Sequence, residues 1–120
     1  MSKVESKLGS LGYRNLKHNL WIKGKKSVQI VHSSESKGSY FRIVWKEKWK
    51  GYDIIIFDYS VGDGPTCIMP IDVLLQSPFV TEKRKQDSYV NSGNWWSQRF
   101  PIYHDLTQLV LSYKNRWNLL

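Results

Sequence analysis

The 120-residue chain has one cysteine, Cys67, so no internal disulfide can form. That excludes a secreted framework of bridges and makes a reducing compartment, the cytoplasm, the expected location. No stretch approaches the ~18 consecutive apolar residues of a membrane span. The segment Met1-Ser2-Lys3-Val4-Glu5-Ser6-Lys7 contains no apolar run of signal-peptide length. No membrane partner is therefore expected. Metal-binding side chains are also scarce: Cys67, His18, His32 and His104 lack the spacing of a zinc finger. Phosphate-loop and dinucleotide fingerprints are absent, and Gly62-Asp63-Gly64 is too short to be one and reads as a turn. Acidic residues are few, with 10 Asp and Glu against 18 Lys and Arg.

What is present is apolar bulk and positive charge. Hydrophobic residues make up 41% of the chain, with 6 Trp and 7 Tyr, enough for one core without covalent staples. The length fits a single domain over residues 1–120. The net charge of +8 points to a polyanionic partner, with a merely soluble basic surface as the bland alternative. A membrane surface would call for a basic amphipathic helix, which neither terminal helix supplies.

Ser2 followed by Glu5 forms a capping-box pattern, and Val4, Leu8 and Leu11 share a helical face. The pattern predicts a first helix from Lys3 to Leu11, stopped at Gly12. Leu20-Trp21-Ile22 and Val28-Gln29-Ile30-Val31 read as a hairpin with a basic tip at Lys23, Lys25 and Lys26. Tyr40 to Trp45 alternates, with Phe41, Ile43 and Trp45 on one face. Asp53 to Tyr59 suits a central strand buried on both sides, and Thr66 to Met69 a short partner for it. Pro70 and Asp72 favour a short helix. Residues 77–100 show no clear period and read as a long loop, a feature often functional in a small domain. Leu106, Leu109, Val110, Tyr113 and Trp117 predict a C-terminal helix. The sum is an α+β fold: a mainly antiparallel sheet of about four strands with an N-terminal helix, a short helix after the sheet and a C-terminal helix.

Three basic clusters are candidate contacts for nucleic acid. Lys46, Lys48, Trp49 and Lys50 combine cations for phosphates with an indole for unstacked bases. Lys83, Arg84, Lys85, Trp95, Trp96 and Arg99 combine the same groups in the 77–100 loop. Lys23, Lys25 and Lys26 would let the hairpin tip track a backbone. The competing reading puts the tryptophans in a core and the lysines on a solvated turn, and the alternation of the strand places Trp45 in the core. Catalytic candidates are Asp53, Asp58, Glu47 and His32. Five apart on one strand, Asp53 and Asp58 are expected on opposite faces, which leaves a shared Mg²⁺ ion without its ligand pair. Cys67 lies in an apolar run and reads as core rather than nucleophile.

A helix followed by strands with Val28-Gln29-Ile30-Val31-His32 and then a hydrophobic strand resembles the core of the PD-(D/E)xK restriction-endonuclease-like nucleases, over roughly the first two thirds of the chain. In that family one strand carries carboxylate-any-lysine after an Asp on the preceding strand. The match puts Gln29 at the carboxylate and Val31 at the lysine. No Asp occurs between Glu5 and Asp53, and only Glu5 fits, at the family's first-helix carboxylate. The resemblance thus implies a degenerate site in which binding survives. The expected function is a nucleic-acid-binding domain, non-catalytic or catalytically degenerate, with no cofactor. The alternatives are a nuclease using Mg²⁺, and a protein-interaction module whose Trp-rich loop forms an interface such as a homodimer.

Overall fold

The computed structural model describes residues 3–32, 36–37, 40–59, 65–81, 87–91 and 104–120. Helix α1, Lys3–Ser10, buries Val4 and Leu8 one turn apart, as the pattern requires. Leu11 falls in the turn beyond it, and Gly12 reverses the chain at φ +92°, a conformation glycine adopts without strain. Three antiparallel strands follow: β1 (Arg14–Lys17), β2 (Leu20–Lys23) and β3 (Lys26–His32). The expected hairpin is β2–β3, closed by Gly24 (φ +60°) and Lys25. Strand β1 was not expected. All four of its residues are exposed, so it carries no burial period to read.

The sheet agrees with the expectation in its largely antiparallel pairing and departs from it at one pair of strands. It has five strands in the order β1-β2-β3-β6-β7, where β6 is Ile54–Asp58 and β7 is Thr66–Pro70, and β3 runs parallel to β6. It is therefore mixed: β1–β2, β2–β3 and β6–β7 pair antiparallel, as expected for most of the sheet, and β3–β6 is the parallel exception. The physical reason is the connection: more than twenty residues separate His32 from Ile54, enough for the crossover that a parallel neighbour needs. The crossover carries β4 (Ser36–Lys37), β5 (Tyr40–Val44) and a 3-10 turn, Glu47–Gly51. A second sheet, β4-β5-β8, is completed by β8 (Asp87–Asn91). Residues 77–100 are consequently not one long loop, since they also contain α3 (Pro78–Thr81), just after α2 (Ile71–Leu75).

Strand β6 is buried at every position, as its continuous apolar run demands. Its side chains alternate between two cores. Ile54 and Ile56 join Val28, Ile30 and Ile68 beneath α1. Ile55, Phe57 and Tyr59 join Trp45, Trp49, Leu74, Phe79 and Val110 on the other face. Helix α4, His104–Leu111, supplies Val110. The helix ends before Tyr113 and Trp117. The chain then runs beside β7, with Ile68 N–H donating to Tyr113 O at 3.0 Å and Asn115 N–H to Thr66 O at 2.9 Å. Asn115 reverses the chain at φ +56°, so Trp117 packs against the α1 core rather than the core that holds Val110.

Candidate nucleic-acid interface

The meander β1–β2–β3 is the most one-sided part of the chain electrostatically. No acid lies between Glu5 and Glu35, whereas Lys7, Arg14, Lys17, Lys23, Lys25 and Lys26 do. The β1–β2 turn is built by a register shift between Asn15 and Lys17 and by His18 at φ +44°, a left-handed conformation uncommon outside glycine. The Asn15 side-chain amide holds it, donating to the carbonyls of His18 (2.8 Å) and Leu20 (3.3 Å). A pocket of about 260 Å³ opens between this turn and the 3-10 turn of the crossover. Lys17, His18, Gln29, Lys48 and Tyr52 line it together with Asn19 and Leu20. In register, Lys17 pairs with Leu20 and Leu20 with Gln29, so the meander brings these three positions side by side across its strands. The lining thus combines two lysines and a histidine with neutral side chains, and among the described residues none of it is acidic. Such a set can hold one phosphate by charge and hydrogen bonds.

The other candidates are placed as follows. Lys46, Lys48 and Lys50 are exposed around the 3-10 turn. Lys50 is 2.9 Å from Glu47 Oε2, and Glu47 Oε1 accepts from the Trp45 indole N–H at 2.9 Å. Glu47, a catalytic candidate in the sequence, thus tethers the turn. Trp49 is 3% exposed, edge-on to Trp45 and Phe57, so it presents no stacking face and is withdrawn from the interface. At the hairpin tip, Lys23 Nζ sits 5.7 Å from the Tyr13 ring centroid and Lys26 Nζ donates to Leu119 O at 2.8 Å. Both brace the fold, and Lys25 stands exposed between them. Lys83, Arg84, Lys85, Trp95, Trp96 and Arg99 lie outside the described residues.

Asp53 and Asp58 sit at opposite ends of β6. Asp53 Oδ2 accepts from Ser27 N–H (2.7 Å) and Ser27 Oγ (3.2 Å), tying the start of the parallel pair. Asp53→Ala should therefore lower stability by about 1 kcal/mol in urea titration, with nucleic-acid affinity unchanged. Asp58 is 2% exposed at the far end. His32 Nδ1 lies 3.7 Å from Asp58 Oδ2, and Thr66 Oγ1 donates to Asp58 Oδ1 at 3.4 Å. The three form a row in register across β3, β6 and β7, with a half-exposed imidazole beside a buried carboxylate. Among the described residues, no three His, Cys, Asp or Glu side chains come together as a metal site.

Cys67 is fully buried, and burial pushes its thiol up from 9.0 to about 12 against the opposing pull of Lys114. A thiol so placed is not a nucleophile. Burial also raises Tyr59, with the Cys67 thiolate adding to it. Both groups keep their protons longer in the folded chain than in the unfolded one. Stability from Cys67 is then complete below pH 9 and lost as pH climbs toward 12. Urea midpoints measured across that window should fall, and Cys67→Ala should make the fall shallower.

Compared with known proteins, the chain matches no family model, no curated protein and no solved structure. Among the described residues no helix is long and apolar enough to cross a membrane. The sequence reading missed Lys17, His18 and Tyr52 as pocket residues. The acid-free stretch after Glu5 was the available signal for the first two.

Proposed function

We propose that this chain is a nucleic-acid-binding domain, non-catalytic or catalytically degenerate, that grips the phosphate backbone through the meander and the crossover turn. The observation that carries the reading is the pocket whose lining includes Lys17, His18 and Lys48 and, among the described residues, no acid. Polyanions are bound by converging cations rather than by average charge, and a net +8 supplies the long-range attraction. The resemblance to restriction-endonuclease-like proteins fits a binding remnant. Gln29, at the family's carboxylate position, lines the pocket, and Val31, at its lysine position, packs against the core. A neutral amide adds no charge to hold Mg²⁺, and valine offers nothing to a developing oxyanion.

The test is anisotropy titration of labelled oligonucleotides over a range of salt. Lys48→Ala should weaken binding irrespective of sequence and flatten the log affinity–log salt plot by about one unit. Lys50→Ala should do less, because Lys50 is engaged with Glu47. Unchanged binding by Lys48→Ala, with the fold intact, would refute the assignment. Plasmid, single-stranded DNA and RNA incubated with Mg²⁺ or Mn²⁺ should stay intact. Cleavage that vanishes in an Asp53→Ala, Asp58→Ala variant would replace this reading with a metal-dependent nuclease.

A further inference from the structure

A second basic concavity lies outside the pocket just described. Along α1, Lys3, Ser6, Lys7 and Ser10 recur at the spacing of one helical stripe, distinct from the Val4–Leu8 stripe that enters the core. They form one wall of an open groove of about 350 Å³, and Trp117 from the C-terminal 3-10 turn forms the other. This volume is within the ~300–1,000 Å³ range of small-molecule sites. The Trp117 indole is half-buried: it packs on the α1 core and also lines the groove. The Ser10 hydroxyl donates to Lys7 O at 2.8 Å, and Lys3 and Lys7 are the charged residues of the described lining. Among the described residues, none that lines the groove is acidic.

An indole and two lysines lining one groove have a specific complement. An unpaired base stacks on the indole while its phosphate meets the lysines. A duplex keeps its bases stacked inside and offers only the phosphates. We infer that the α1–Trp117 groove binds one nucleotide of a single-stranded nucleic acid, and that this chain prefers single strands to duplexes through it. The inference rests on the polyanion reading above and extends it to a different face. The cations there are Lys3 and Lys7, and the group that discriminates is Trp117.

The full chain would be titrated with a short labelled RNA, the same sequence as DNA, and the matching duplex. Trp117→Leu should weaken both single strands ~10-fold and leave the duplex unchanged, and Trp117→Phe should retain most of the affinity. A loss on RNA alone would place the contact on ribose as well as base, and an equal loss on both would place it on base and phosphate. Because Trp117 also packs on the core, two further measurements do not depend on that variant folding. Lys3→Ala with Lys7→Ala should weaken single strands more than duplex. Photocrosslinking of the native chain to bromouracil-substituted single strands, read by peptide mass, should label Trp117. Equal affinity for single strand and duplex, or crosslinks confined to other residues, would overturn the groove assignment. If the native chain bound no nucleic acid of any form, the polyanion reading itself would fall, whereas binding insensitive to Trp117, Lys3 and Lys7 but sensitive to Lys48 would sink the groove alone.

Discussion

Replacing Trp49 by alanine should cost about 3–5 kcal/mol of folding stability while leaving the nucleic-acid affinity of the folded fraction unchanged. By sequence, Trp49 looks like a contact residue, set between Lys48 and Lys50. By structure it is core. Its ring meets Trp45 at 5.3 Å and Phe57 at 6.0 Å between centroids, both edge-to-face, the arrangement that aromatic quadrupoles favour. It also anchors the crossover. Trp45 and Trp49, with Ile43, pack the chain between β3 and β6 into the core on this face of the sheet. Alanine would leave a void in a packed interior. Trp49→Phe retains part of the ring and should lose less. Urea unfolding separates stability from affinity. A stable Trp49→Ala protein with weakened binding would mean that the indole meets the ligand after all.

The two outcomes for Trp45 and Trp49 show where a sequence stops being readable. For Trp45, the period-2 pattern from Tyr40 gave the face and the structure agrees on burial. Trp49 stands in a turn, where no period constrains a side chain, and its neighbours in sequence are charged. Strand β6 was legible because four consecutive apolar residues can only be satisfied between two layers. Its parallel neighbour was not, since a strand's own pattern identifies it as a strand and says nothing of which strand lies beside it. Strand β1 left no trace because an exposed edge strand buries neither face. Strand β8, Asp87–Asn91, is similarly polar at its ends and hides inside a stretch of turn-forming residues. Trp117 fits the helical spacing of α4 on paper, and the left-handed Asn115 sends it to the opposite core. The pocket follows the same logic. Lys48 was readable as a cation, but its meeting with Lys17 and His18 depends on β1 and on a turn whose signal is one asparagine amide.

Reversing two charges in that pocket should give the largest loss of function. Lys17→Glu combined with Lys48→Glu is expected to weaken binding ~100-fold at low salt and to reduce the slope of log affinity against log salt by about two units. The slope is the decisive quantity. Each phosphate contact displaces condensed counterions, so removal of two contacts has a salt signature that a folding defect lacks. Stability should barely move, because both lysines are exposed and surface changes of this kind stay within about 0.5 kcal/mol. The turn should also persist, since its left-handed His18 is held through backbone carbonyls by Asn15 and not by either lysine. Lys50→Glu is the matched control. It changes the same charge two residues from Lys48, at a residue already paired with Glu47 and outside the pocket lining, so its effect should be several-fold smaller. If the control and the double variant lost affinity in proportion to net charge alone, the chain would be binding through its average field. If the double variant fell far below that proportion while keeping its urea midpoint, the cations at the β1–β2 turn and the crossover would be the phosphate contact.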